Sequence, residues 1–188
     1  VLHPWLEPNR PFKTVIAVGR LVQEKNFPLL INTIGKARDS LDVRCLILGD
    51  GILRSELEDM VAGDEAIIFL GRVPSPELYL AQADLFVLTS NAEGSPTVMV
   101  EALQCGLKIV ATDCGGPAEI LDNGKYGRLV PPNDLDALAR AIIDELATPR
   151  DPEMLKARAA DFHVSKAADH YLEMIFGAPG TTGRLDER

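Results

Sequence analysis

The sequence predicts an α/β fold, a parallel sheet doubly wound by helices. Short apolar runs recur along the whole chain: "TVIAV" at 14–18, "VRCLIL" at 43–48, "AIIFLG" at 66–71, "DLFVLTS" at 84–90, "LKIVAT" at 107–112 and "GRLV" at 127–130. These runs do not alternate polar with apolar residues, as expected of strands buried on both faces. Amphipathic stretches separate them, and that alternation argues for crossover helices. The expected architecture is a single Rossmann-like doubly wound parallel sheet of about six strands, followed by C-terminal helices.

The elements follow in order. The opening "VLHPWLEPNRPF" (1–12) is Pro-rich and reads as an interdomain-linker-like segment, with Trp5 covering an edge of the core. After the first strand a helix is expected from Phe27 to Arg38, and after the second one at 52–62. Shorter helices are expected at 76–82, at 96–105 and up to Leu121. In "PPNDLDALARAIIDEL", Asn133 is the expected N-cap, with Asp136 three positions on. Leu135, Leu138, Ile142 and Leu146 form the helical stripe behind it. Two more helices are expected near 152–161 and 165–176, and the Gly/Thr-rich end at 177–188 reads as a disordered tail.

Composition narrows the function. The chain has 188 residues and a formal net charge of -9, which argues against a nucleic-acid partner because phosphate-backbone binding needs a cationic surface. An anionic small ligand is compatible with that charge if a few cations gather locally. No apolar run reaches the length of a membrane span, so no transmembrane segment is expected. Cys45, Cys105 and Cys114 are odd in number and widely spaced, which suits a reducing, cytoplasmic setting rather than disulfides, and Cys105 reads as a small buried filler. His3, His163 and His170 share no ligand spacing with them, so no metal site is expected.

Right-handed crossovers would bring every strand's C-terminal end to one edge of the sheet, where ligands bind at the switch in strand order. Along that edge the sequence places Gly19, Arg20 and Lys25, then Gly49, Asp50 and Gly51. Gly71, Arg72 and Val73 follow, then Ser90, Asn91, Glu93, Gly94 and Ser95, and finally Asp113 to Gly116. Glycines allow close backbone approach, Arg20 and Lys25 supply cations, and fresh helix N-termini supply free N–H groups. These are the parts of a phosphate cradle. Ser95 is the expected cap and Pro96 the first-turn residue of the helix that follows. That helix keeps one carboxylate, Glu101, among Val98, Met99, Val100, Ala102 and Leu103. Burying an unpaired carboxylate is unfavourable, whereas a vicinal diol can donate to both its oxygens.

Glu93-x7-Glu101, preceded by "DLFVLTS" and followed by "GLKIVATDCGGPAEIL", resembles the C-terminal half of a retaining GT-B glycosyltransferase of the large group 1 family. "VGRLVQEKNF", "LILGDGILRSELE" and "FLGRV" match that family in the same order, so the resemblance runs from residue 14 to about 147. It implies a nucleotide-sugar-binding domain over 13–176 that takes part in hexosyl transfer from a nucleotide diphosphate sugar, UDP rather than GDP, with retention. By that resemblance Glu101 holds the ribose hydroxyls and Glu93 contacts the transferred sugar, while Arg20 and Lys25 neutralise the departing diphosphate. The backbone at Arg72 and Val73 receives the base, and Gly19 with the amides about Gly94, Ser95 and Pro96 lines the diphosphate and sugar. It implies no metal and no bound cofactor, and an attack on the same face with the leaving phosphate taking the acceptor's proton.

Two departures stand out. Lys108 occupies a position where the family usually has Pro, read as harmless at a strand start. The acceptor-binding N-terminal half that the resemblance implies is not among these 188 residues, so this chain alone is expected to be incomplete for catalysis and to reach any membrane only peripherally, through that half. The alternative is a non-catalytic nucleotide-binding or partner-docking module. A dinucleotide fingerprint at Gly49-x-Gly51 fails because Arg54 stands where its third glycine belongs. A glycosidase reading of the two glutamates has no other support. Asp50 reads as a turn residue, and Glu119 as a first-turn acid.

Overall fold

The computed structural model describes residues 2–162. Six strands, β1 (Lys13–Val18), β2 (Val43–Leu48), β3 (Ile67–Gly71), β4 (Leu85–Leu88), β5 (Ile109–Thr112) and β6 (Arg128–Val130), form one sheet in the order β3-β2-β1-β4-β5-β6. Every pairing is parallel. The chain first winds outward from β1 to β3, then crosses back to β4 and winds outward the other way. The switch therefore falls between β1 and β4, and a crevice opens there at the strand ends.

Both faces of the sheet are covered, which is why the strands read as unbroken apolar runs. Val15, Ala17, Cys45, Ile47, Val87 and Val110 pack with α1 (Phe27–Ala37), α2 (Arg54–Met60) and α6 (Leu135–Ala147). Ile16, Leu46, Leu48, Phe86, Leu88 and Ala111 face α3 (Pro76–Leu80), α4 (Thr97–Gln104), α5 (Gly116–Ile120) and α7 (Pro152–Ala159). A 3-10 turn at Pro4–Leu6 carries Trp5 and Leu6 into this second layer, where both are buried. Thr14 Oγ1 donates to the Trp5 carbonyl at 2.6 Å, fixing the opening segment to β1.

Two caps differ from expectation. Asp134, not Asn133, is the N-cap of α6, accepting from the Ala137 amide at 2.8 Å. Asn133 is left-handed (φ 61) and its side chain is used elsewhere. Ser95 does not cap α4. Pro96 occupies the N-cap position with extended ψ, and its carbonyl accepts from the Met99 amide at 2.9 Å. Pro96 is buried, and its Cδ lies against Gly116, which fixes where the helix can begin.

Lys108 is more than a strand-start substitution. Its ammonium donates to the carbonyls of Glu145 (2.7 Å), Thr148 (3.2 Å) and Leu146 (3.3 Å), closing the C-terminus of α6, where orphan carbonyls and the helix dipole favour a cation. Burial lowers its pKa, against the opposing effect of Glu145. The Glu145 carboxylate, with 0% exposure, is held by Arg128 and Arg150. The helix expected at 165–176, the tail at 177–188, and His163 and His170 lie outside the described residues. Among the described residues no helix is long and apolar enough to cross a membrane.

Candidate functional site

The strand ends carry a cleft of about 470 Å³ lined by Val18, Gly19, Arg20, Leu48, Gly49, Asp50, Arg72, Val73 and Pro76. It spans the ends of β1, β2 and β3. A methyl group on Gly49 would lie 1.8 Å from the Gly19 carbonyl, and one on Gly51 would lie 2.4 Å from that of Leu21. Close backbone contact between these two loops therefore demands glycine. Asp50 Oδ1 accepts from the Gly51 amide at 2.8 Å, consistent with a turn acid, and Asp50 also forms part of the cleft wall. Arg20 and Arg72 are exposed, and Arg20 pairs with no acid among the described residues.

The second half of the site lies across the switch, over β1, β4 and β5. Lys25 ends a 3-10 turn, Gln23–Lys25, and its ammonium is paired with Glu93 Oε1. Ser90 Oγ donates to the same oxygen at 2.6 Å. Glu93 is held by its backbone as well. Its amide donates to Cys114 O (3.2 Å), and its carbonyl accepts from the Gly116 amide (2.8 Å), so residue 93 bridges to the loop after β5. A methyl on Gly116 would stand 2.2 Å from the Gly94 carbonyl. Gly115-Gly116 thus lets the Glu93 loop lie directly on the next one.

That contact consumes the Glu93 and Gly116 amides, so they are not available as donors to a ligand. The Gly94 and Ser95 amides have no partner among the described residues, both residues are exposed, and Gly94 has open space on its side-chain side. They remain as donors at the start of α4.

Glu101 is half-buried on α4, and its carboxylate accepts no hydrogen bond from the described residues. Its helix shares a packed cluster with Leu48, Val18 and Val73 of the cleft wall, so it lies on the cleft's side of the sheet. Burial raises the pKa of Cys105, and the charges of Glu77 and Glu101 raise it further. Glu101 lies on α4 one turn before Cys105, and Cys105 Sγ is 3.6 Å from the Glu77 carbonyl of α3, so this face of α4 is turned toward α3, whose first residue, Pro76, is part of the cleft wall. Cys105 is half-buried, with Sγ 3.6 Å from the Glu77 carbonyl, rather than a core filler.

The structure therefore brings Gly19, Arg20, Arg72 and Val73 into one cleft and Lys25 and Glu93 into one ion pair beside Gly94 and Ser95. Pro96 acts through packing, and Glu101 stands on the same face of α4 as Cys105. Sequence reasoning missed Val18, Leu48 and Pro76 as wall residues, although the first two are the last apolar residues of β1 and β2. It also missed an amide brace: Asn26, left-handed at φ 48, donates to Asn91 Oδ1 (3.1 Å) and Asn133 Oδ1 (2.9 Å), joining three loops of the rim.

This sheet order, with its crevice at the switch, is that of a Rossmann-like doubly wound domain, and its structural neighbours include glycosyltransferases. The outer-core lipopolysaccharide galactosyltransferase WaaB superposes with a TM-score of 0.80 at 21% identity, over 90% of this chain and 50% of that one. HepE from Anabaena, solved with UDP and glucose, gives 0.74 at 24% identity, over 86% and 47%. The chain belongs to the group 1 glycosyl transferases, whose family model matches residues 12–148. A Campylobacter jejuni relative, N-acetylgalactosamine-N,N'-diacetylbacillosaminyl-diphospho-undecaprenol 4-alpha-N-acetylgalactosaminyltransferase, is 30% identical over 173 residues, 88% of this chain and 47% of that protein. The chain thus spans about half the length of this relative.

Proposed function

We propose that this chain is the donor-binding half of a glycosyltransferase that moves a sugar from a nucleotide diphosphate sugar with retention. The observation that carries the reading is the pairing of Lys25 with Glu93 beside the unpartnered Gly94 and Ser95 amides, next to a cleft that holds Arg20. A diphosphate lying across the switch would meet two cations and open amides. Preorganised donors aimed at a charge that grows in the transition state are often the largest catalytic contribution. The base would enter between Gly49 and Val73, the ribose diol would meet Glu101, and the transferred sugar would meet Glu93. Proton transfer is assigned to the leaving phosphate and the acceptor, with no protein base. No metal is required in this scheme, because Arg20 and Lys25 supply the positive charge.

UDP is the nucleotide proposed over GDP; the Anabaena neighbour of the same fold was solved with it. The acceptor would be supplied by a further domain, in keeping with a chain that spans about half of its relative. The same half-length supports the second reading, a nucleotide-binding or docking module without catalysis.

Titrating the chain with UDP, GDP, ADP and NAD by calorimetry, with and without EDTA, tests the donor site. The expected result is UDP binding that EDTA leaves unchanged. Equal binding of NAD, or none of UDP, overturns it. An assay of sugar transfer with an upstream half supplied separates the two readings, since binding without transfer favours the module.

A further inference from the structure

The two residues that directly follow β4 hold both members of the Lys25–Glu93 pair. Thr89 Oγ1 donates to the Lys25 carbonyl at 2.9 Å, and Ser90 Oγ donates to Glu93 Oε1 at 2.6 Å. Thr89 is 4% exposed and Ser90 0% exposed. Neither hydroxyl has water to turn to, so each is committed to its partner. Asn91 continues the hold, its amide donating to the Glu24 carbonyl at 2.8 Å. The strand end is itself fixed from the other side, where Thr112 Oγ1 on β5 donates to the Ser90 carbonyl at 2.6 Å.

We infer that Ser90 is a positioning residue for Glu93, and Thr89 for Lys25, so that one rigid strand end sets the separation of the sugar-facing acid and the diphosphate-facing cation. This rests on the donor reading for its chemical meaning. A carboxylate on a loop can turn about its own side-chain bonds. A buried hydroxyl on Oε1 removes that freedom and leaves Oε2 as the oxygen free to accept from a sugar hydroxyl. The Thr89 bond acts on the backbone instead, keeping the Gln23–Lys25 turn at the height from which the ammonium reaches across the switch. Groups seated on strand ends are held more closely than groups on free loops.

The test has an arm that needs no ligand. In spectra of the chain labelled with ¹³C at glutamate carboxyls, Ser90→Ala should move the Glu93 resonance and leave those of Glu101 and Glu145 in place. In the wild-type chain the Ser90 hydroxyl proton should exchange slowly with water, a measurement that stands even if the variant does not fold. A Glu93 resonance that does not move, or a hydroxyl proton in fast exchange, overturns the assignment.

The second arm uses UDP, UDP-glucose, UDP-galactose and UDP-N-acetylglucosamine as probes. Ser90→Ala should weaken the best-bound nucleotide sugar roughly threefold to tenfold while UDP changes less, and should add little in a Glu93→Gln background. Thr89→Val should weaken UDP and spare uridine. Equal losses for UDP and the nucleotide sugar in Ser90→Ala, or full additivity with Glu93→Gln, overturn the positioning role. If the wild-type chain binds none of the probes, the donor reading fails, while the spectra still decide whether Ser90 holds Glu93.

Discussion

Lys25 and Glu93 neutralise one another across the switch point, one from the loop after β1 and the other from the loop after β4. A diphosphate bound as proposed would therefore share Lys25 with a carboxylate that is already in place. Glu93→Gln should bind UDP at least as tightly as the wild type, because the competing charge is gone. Lys25→Ala should bind UDP about tenfold or more weakly, the loss of one charge-assisted bond of ~1.5 kcal/mol, while uridine is unaffected. Calorimetry with both ligands checks this, and equal losses for UDP and uridine would contradict a phosphate role.

Glu101 carries the diol assignment. Its carboxylate accepts no hydrogen bond from the described residues, so Glu101→Ala should leave the thermal midpoint unchanged or slightly raised. The same variant should lose about tenfold or more in UDP affinity. Wild-type chain should also prefer UDP to 2′-deoxy-UDP, and the variant should not distinguish them. A variant that keeps the preference would show that another group reads the ribose.

The parallel, doubly wound sheet and its two-faced burial were legible because each rests on short-range patterns: apolar runs, helical stripes, and glycines after strands. Position along the strand-end edge was also enough to collect Arg20, Lys25, Arg72 and Glu93. What was not legible is pairwise. Nothing in "LTSNAEG" indicates that Ser90 turns to Glu93 while Thr89 turns to the Lys25 carbonyl. Lys108 looked harmless because its partners, the last carbonyls of α6, lie 37 to 40 residues away. The α4 start was misplaced for a similar reason. Ser-Pro is a good local cap and first turn, but contact with Gly116 shifts Pro96 into the cap position.

The end of α6 should be a major point of stability. Glu145→Ala would leave Arg150, 17% exposed, without its acid, while Arg128, 39% exposed, can turn to solvent, so the loss should fall below the ~3–5 kcal/mol typical of breaking a wholly buried pair but stay above ~1 kcal/mol. Lys108→Met keeps most of the side-chain volume and removes only the cap, so a smaller loss of about 1 kcal/mol is expected. Urea unfolding of both variants checks the order. A Lys108→Met loss as large as that of Glu145→Ala would mean that the ammonium, rather than the two guanidinium groups, holds this corner.

Cysteine chemistry offers a pH-dependent probe of the site. The Cys105 pKa is raised by burial first, then by the charges of Glu77 and Glu101, with Lys156 opposing. A raised thiol pKa means less thiolate at a given pH, so Cys105 should alkylate more slowly at pH 7.5 than a free thiol, and its rate should climb at higher pH than usual. Glu101→Gln removes one of the repelling charges, so it should shift that rate profile toward lower pH. Cys45, wholly buried with its pKa pushed far up, should not react until the chain unfolds. Peptide mapping after timed iodoacetamide treatment resolves the cysteines individually. If Glu101→Gln leaves the Cys105 profile where it was, the carboxylate does not face α3, and its assignment to a ribose beside Pro76 falls with it.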